Sequence, residues 1–393
     1  MIKNLSLFLA LGVITPSLFA MQAEHAYLYK DSRVMGKGGV SVATGKYATT
    51  VFSNPAGLAS LRKKEGFIVD ILSLSASVSK GAIDFIEDAN NASGTSEDLY
   101  ELLDTHNGDN FHIGVNNYSS ISKNSGSFAW SIGILAASDA NVMAHSDGTP
   151  SGDYLETSSR LYGGVVLGMA KPFYTKYGRI DLGVSTKYIS QVSYEGTVGV
   201  VQLVESDDEY EDFIKDYEKK ASGIGFDIGI NYHPFANSYW NMILGVSVMN
   251  MGLELDDNYG HQPMTVNFGV SVSPEVPFAD KLVIAVDYVD AFGANKYREY
   301  DKSSNGGSTT YTDYDAYDSM KNIRFGVGVS LVDSPAFSFD IDGGIYQSAY
   351  TAGIRLEMAA LHLNLATYQE DVGINSNTSN PDRRYMLDLG IGW

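Results

Sequence analysis

Residues capable of chemistry are plentiful in this sequence, but they are not assembled into a reactive constellation. The stretch GVSVATGKY, residues 39 to 47, has the outline of a phosphate loop, yet five residues separate Gly39 and Gly45 where four are required. Tyr47 also stands where such a loop needs a Ser or Thr hydroxyl. FDIDGG, around Asp340 and Asp342, matches the start of a calcium loop but lacks the remaining ligands, and it falls in a strand pattern that turns both carboxylates to one face. The seven His residues have no ligand spacing, no G-x-S-x-G elbow occurs, and Cys is absent. The expectation is a protein that is not an enzyme and uses no cofactor and no metal, although a hydrolase assembled from distant strands would leave no such trace.

The best-defined local signal is TVFSNPAGLASLRKKE, residues 50 to 65. It reads as a short capped helix. Asn54 is a good N-cap, Pro55 suits the first helical position because its missing N–H would be unpaired there anyway, and Lys63 and Lys64 complement the negative end of the dipole. Almost everything after it alternates with period two. In GIGFDIGINYH, Ile224, Phe226, Ile228, Ile230 and Tyr232 share one face, while Gly225, Asp227, Gly229, Asn231 and His233 share the other. IRFGVGVSL repeats the pattern with Ile323, Phe325, Val327, Val329 and Leu331 opposite Arg324, Gly326, Gly328 and Ser330.

Fourteen such strands are predicted: 67–79, 110–118, 127–138, 160–171, 179–194, 223–232, 241–251, 264–273, 281–290, 322–332, 336–346, 350–358, 361–368 and 385–393. Most approach the nine to eleven residues that a tilted strand needs to cross a bilayer, and an even count suits a bacterial barrel. Connections after odd strands are mostly long and those after even strands mostly short, the asymmetry of an outer-membrane barrel with both termini in the periplasm. Pro172, Pro234, Pro274, Pro277 and Pro335 are expected in the short turns. Phe173, Tyr174, Tyr177, Phe235, Tyr239 and Trp240 gather there as an interfacial girdle, although aromatic residues are also simply common in strands. The fold class is therefore all-β, a transmembrane antiparallel barrel of about fourteen strands.

The chain has 393 residues, with 40 Gly, 26 Tyr and a formal net charge of −20. No Lys/Arg cluster is visible that could track phosphates, so no nucleic acid partner is expected. Lys3 followed by LSLFLALGVITPSLFA reads as a secretory signal over residues 1–20, with cleavage after Ala20 and cuts after Ala23 or Ala26 as alternatives. Without Cys there is no lipid-attachment site. The expected location is the outer membrane of a Gram-negative bacterium. The last strand, YMLDLGIGW, puts Tyr385, Leu387, Leu389, Ile391 and Trp393 on one face and ends on an aromatic residue, which resembles the signal read by the barrel insertion machinery. Residues 82–105 and 206–220 are predicted to form short helices in external loops, and 298–319 a mobile polar loop. Their carboxylates could bridge through divalent cations to lipopolysaccharide or merely keep the loops solvated.

Residues 21–65 precede the first strand and are too rich in Gly and Ala to form a core alone, so they need a host. The economical place is the lumen of a barrel spanning residues 66–393, where the segment would be a plug containing the short helix. The segment GKGGVSVATGKYATTVFSNPAGLA, with Asn54, Pro55, Ala56 and Gly57, resembles the amino-terminal hatch of the FadL-type outer-membrane transport superfamily. The far end, residues 350–373 and 382–393, resembles a subfamily called conjugal-transfer TraF-like. The resemblance implies a fourteen-stranded barrel, uptake of a hydrophobic small-molecule ligand, and gating by hatch movement. Val34, Met35, Val40, Val42, Val51 and Phe52 are the candidates for ligand contact or plug packing, and Lys187, Asp227, Asp287, Arg324, Arg355, Glu357 and Asp388 for the polar lumen. The alternative is a structural or assembly protein of the outer membrane, related to conjugation or secretion, that binds protein partners through its loops or plug.

Overall fold

The computed structural model describes residues 26–62, 66–92, 96–146, 153–199, 218–234, 239–255, 262–300, 311–315, 319–334, 336–373 and 379–393. Fourteen antiparallel strands close into a barrel: β1 (Ile68–Ser79), β2 (Asn110–Asn124), β3 (Ala129–His145), β4 (Tyr154–Thr175), β5 (Gly178–Gly199), β6 (Glu218–Pro234), β7 (Ile243–Met251), β8 (Thr265–Val272), β9 (Lys281–Tyr288), β12 (Ile323–Asp333), β13 (Phe337–Tyr346), β14 (Ala349–Met358), β15 (Leu361–Asp371) and β16 (Pro381–Gly392). Strands β10 (Lys296–Tyr300) and β11 (Tyr311–Asp315) form a separate hairpin, so β9 pairs with β12. Closure is made by β1 against β16, where Val69 and Trp393 exchange backbone hydrogen bonds of 2.9 Å in both directions. A closed ring leaves no unpaired edge, which a strand facing lipid could not tolerate.

The alternation in sequence becomes an inside and an outside. On β16, Tyr385, Leu387, Leu389, Ile391 and Trp393 are 41–54 % exposed, whereas Arg384, Met386 and Asp388 between them are buried in the bore. Ile224, Phe226, Ile228 and Ile230 on β6 and Val184 on β5 continue the oily exterior. Phe173, Tyr174, Tyr177, Tyr239 and Trp240 stand exposed at the rim that bears the carboxy terminus, and Phe235 lies outside the described residues. Among the described residues, no helix is long and apolar enough to cross a membrane.

Several expectations need correction. Pro172 lies inside β4, opposite Asp181 of β5, and not in a turn. It is tolerated there because pairing of β3 with β4 ends at Ala170, so the proline has a strand neighbour on one side only. Strands β4 and β5 reach 22 residues each, well beyond a bilayer crossing, because the period-two signal fades where the outer face no longer needs to be oily. The connection of β13 to β14 is short despite following an odd strand; Gln347 and Ser348 make it with φ of 47° and 65°. The polar loop 298–319 contains part of the β10–β11 hairpin, and residues 218–220 of the predicted 206–220 helix belong to β6; residues 201–217 lie outside the described residues.

Residues 82–105 do form helices, Lys80–Asn91 and Ser96–Thr105, the first capped by Ser79 Oγ accepting from Ala82 N–H at 3.1 Å. Ala82, Phe85 and Ala89 on the first and Leu99, Leu102 and Leu103 on the second pack with Phe111, Val142 and Leu155 from β2 to β4. Those wall residues alternate with bore-facing ones, so the helical pair covers the outside of the tall strands with protein.

Candidate functional site

Residues 26–62 fill the middle of the bore, built as one short helix, Ser32–Gly36, and two 3₁₀ turns, Ala48–Phe52 and Pro55–Ser60. The expected single capped helix is thus a pair of tighter turns, the form a chain takes when only a few residues are available between anchors. Asn54 caps the second turn, its Oδ1 accepting from Ala56 N–H at 3.1 Å, with Pro55 next in line as expected. Lys63 and Lys64 lie outside the described residues.

Asn54 does more than cap. It is fully buried, and its amide donates to Val42 O at 2.7 Å and to Asn231 Oδ1 on β6 at 2.9 Å. One side chain therefore ties both halves of the segment to the wall. The wall admits it through glycines: a Cβ at Gly229 would lie 1.9 Å from Asn54 Oδ1, one at Gly183 would lie 2.2 Å from Ala56 N, and one at Gly168 would meet Val51 and Leu58. Gly245 and Gly269 leave equal room for Val42. The small-sided face seen in sequence is a docking face, and its spacing along β4 to β8 is the signal that could have located the plug's footprint.

Charged residues at the expected lumen positions do face inward. Asp287 Oδ2 accepts from the backbone N–H of Ser41 at 2.6 Å and of Val42 at 2.9 Å. Arg355 is paired with Asp340 on the wall, and Glu357 lies beside it at 3.9 Å. Asp342 reaches Lys37 of the plug at 3.4 Å, so the FDIDGG carboxylates are anchors and not a cation loop. Arg324 stacks on the Tyr346 ring at 4.0 Å. Lys187 and Asp227 pair within the wall at 2.8 Å, and Asp388 accepts from Asn364 Nδ2 at 2.7 Å. Desolvation makes such buried pairs nearly neutral in net stability, but it makes an unpaired member costly, which fixes position.

At its start, the segment is clamped by Lys30, whose Nζ lies 2.5 Å from the buried Glu370, itself bonded by Tyr346 and Gln347. Asp31 caps the helix, accepts both the Nε and Nη2 of Arg33 at 2.8 and 2.6 Å, and accepts from Thr49. Burial pushes the Asp31 carboxyl up, but the Arg33 guanidinium and these hydrogen bonds outweigh it and hold it below the usual carboxylate range.

Of the apolar candidates, Val42 and Val51 are packing residues against the glycine face. Val34, Met35, Val40 and Phe52 line a cavity of about 220 Å³ together with Tyr29 and Tyr346. Tyr29, Phe52 and Tyr118 of β2 form an aromatic cluster with centroid separations of 5.2, 4.9 and 6.0 Å. Sequence reading missed Tyr29 and Tyr118, because nothing local distinguishes these two from the other tyrosines. A second cavity of about 450 Å³ opens at the terminal rim among Asp70, Lys281, Asp333, Glu357 and Trp393. Among the described residues, no group of side chains could hold a metal ion.

No family model matches the sequence, and no curated protein matches it. Solved structures share its fold. The toluene transporter TbuX of Ralstonia pickettii superposes with a TM-score of 0.53 at 13 % identity, covering 93 % of this chain and 98 % of its own. The toluene transporter TodX of Pseudomonas putida gives 0.53 at 10 % identity, with coverages of 94 % and 98 %. The deltaS2S3 mutant of TodX, described as a monoaromatic hydrocarbon channel, gives 0.55 at 11 % identity, with coverages of 92 % and 98 %. At these identities the likeness establishes a shared barrel architecture over nearly the whole chain.

Proposed function

We propose that this protein is a FadL-like outer-membrane channel that admits small hydrophobic molecules and is gated by its amino-terminal hatch. The observation that carries the reading is the segment 26–62 docked inside a closed fourteen-stranded barrel, with a cavity left on its loop side that Tyr29, Val34, Met35, Val40 and Phe52 line beside charged groups such as Lys30, Asp31 and Arg324. An apolar cavity of about 150 Å³ is enough to bind benzene, so the roughly 220 Å³ chamber has room for one monoaromatic molecule. The oily exterior supports insertion in a bilayer, with the terminal rim toward the periplasm and the loops outside. On this reading the signal segment is removed on export, and the strand ending at Trp393 meets lipid and is presented to the insertion machinery. The toluene transporters that share the architecture support the same class of cargo, and their role as channels supports a non-enzymatic function.

The test is reconstitution. Proteoliposomes bearing the intact chain should take up radiolabelled toluene faster than empty ones, and a variant lacking residues 21–62 should gain an ion leak. Uptake equal to empty liposomes, with a folded barrel confirmed by heat-modifiable gel mobility, would refute the channel. An assembly role, including the one suggested by the TraF-like resemblance, predicts instead that deleting the external loops abolishes partner capture and leaves uptake unchanged.

A further inference from the structure

Two chambers remain in the bore, and the hatch lies between them. The outer one, about 220 Å³, is lined by Tyr29, Phe52, Asn267, Asp290 and Tyr346, which belong to the hatch and to the loop ends of the strands. The inner one, about 450 Å³, is lined by residues at the terminal rim. Among the described residues, only Arg33, Lys37, Thr44 and Tyr47 line both. The partition therefore includes these four residues, and the hatch backbone at Lys37 and Gly38 is docked on the wall at Gly326 and Gly344.

Tyr47 is the largest flat member of that set and joins hatch to wall. The Arg33 guanidinium lies 3.8 Å from its ring centroid, and its hydroxyl accepts from Nη1 of Arg355, which is itself held by Asp340. Thr44, by contrast, bonds only within the hatch, to Val40 O at 3.1 Å. Tyr47 precedes the turn Ala48–Phe52 in extended backbone, with φ −121° and ψ 162°, and its side chain caps nothing. A change of its side-chain torsion thus costs one hydrogen bond and two cation–π contacts, with Arg33 and, at 5.4 Å, with Arg355, and breaks no bond of Asn54.

We propose that Tyr47 is the septum of an axial passage: rotation of this one side chain joins the outer chamber to the inner one while the hatch backbone stays docked, and the cargo then leaves at the terminal rim. The inference rests on the channel reading, but its readout does not require the cargo to be known. Wild-type protein, Tyr47→Ala, Tyr47→Phe and Leu28→Ala are compared in planar bilayers in potassium chloride, each first shown to be folded by heat-modifiable mobility. Leu28 lines neither chamber but is buried in the apolar cluster of hatch and wall, so it controls for general loosening.

Tyr47→Ala should show resolved conductance steps, Tyr47→Phe brief openings, and Leu28→Ala the closed behaviour of wild type. The natural chain has no Cys, so Ser41→Cys, which lines the outer chamber only, adds a unique thiol. In the Ser41→Cys/Tyr47→Ala protein, a charged methanethiosulfonate added from the terminal side should block the new current. A Tyr47→Ala protein as closed as wild type, a current insensitive to the thiol reagent, or equal leak through Leu28→Ala would overturn the septum. If Tyr47→Ala conducts but the intact protein takes up no toluene, the cargo reading fails and the septum stands; uptake by the intact protein with no effect of Tyr47→Ala gives the reverse.

Discussion

Replacing Asn54 with Ala should release the hatch without melting the barrel. The substitution removes the cap on Ala56 N–H, for which typical losses are about 1 kcal/mol. It also strips Val42 O and Asn231 Oδ1 of their donor inside a fully buried site, at about 1–3 kcal/mol for each acceptor left dry. With water recovering part of the loss, about 3–5 kcal/mol of docking free energy disappears. No barrel ladder bond is touched. Limited proteolysis in detergent should therefore cut residues 26–62 at least a hundredfold faster, while the heat-modifiable band shift keeps its midpoint. Geometry adds a sharper demand. Gly229→Ala in the wild-type background drives a methyl to 1.9 Å from Asn54 Oδ1, an overpacking of about 1–3 kcal/mol. Once Asn54 is Ala that atom is gone, and the nearest remaining contact is Ala56 N at 3.0 Å. The double variant should be less damaged than the sum of the singles, with a coupling of about 1–2 kcal/mol. Strict additivity, or a barrel midpoint that falls with the hatch, would refute the claim that Asn54 and the Gly229 gap form one joint.

Other consequences follow from the same contacts. Gly38 has φ of +66° and its missing Cβ would lie 1.9 Å from Phe325 O, so Gly38→Ala should expose the hatch to protease as severely as the Asn54 variant. The Asp31 carboxyl is held below its unfolded value, so its contribution is complete above about pH 4 and is lost as pH falls through the lower folded value; the Asp31 share of the hatch's protease protection should drop in that acid range, and Asp31→Asn should weaken protection at neutral pH and remove that part of the profile. Leu389→Arg puts a cation on the exposed outer face of β16 and should cost about 2–4 kcal/mol if it lies at the bilayer midplane, read as a lower urea midpoint for refolding into liposomes, whereas the neighbouring Asp388→Asn, which faces the bore, should leave that midpoint near wild type.

Strand positions were legible because a wall with lipid on one side and polar bore on the other forces period two, and that force acts on every residue of the crossing. It weakens outside the membrane, so the upper parts of β3 to β6 were read too short and Pro172 was misplaced, whereas on β2 the missed residues, 119–124, lie at the end joined by the tight turn to β3. The inward direction of Lys187, Asp287 and Arg355 was equally legible from parity alone. Their partners were not, because Ser41 and Asp287 are far apart in the chain and meet only through the closure of the barrel. Asn54 was recognised as a cap from its neighbours Pro55 and Ala56; its bond to Asn231 could not be read locally. Tyr47 was noted only as a defect in a phosphate-loop pattern, and its position between Arg33 and Arg355 belongs wholly to the tertiary fold.

The hatch is held in a way suited to being specific without being immovable. Its apolar contacts are of two kinds: Val42, Val51, Ala56 and Leu58 sit against glycines, while Leu28, Tyr29, Leu58 and Leu61 pack in one buried cluster with Tyr118, Tyr162, Val166 and Ile189 of the wall. Most of its remaining ties are charged or polar: Lys30 to Glu370, Lys37 to Asp342, Ser41 and Val42 to Asp287, and Asn54 to Asn231. Such ties contribute little net free energy when made, because each group gives up water, yet they penalise every wrong register in which a charge stays unpaired. Water entering either chamber can replace these bonds one by one, so the barrier to rearranging the partition is set by single side chains and not by extraction of the whole segment. That places the burden of closure on the residues shared by the two chambers, among which Tyr47 is held between Arg33 and Arg355.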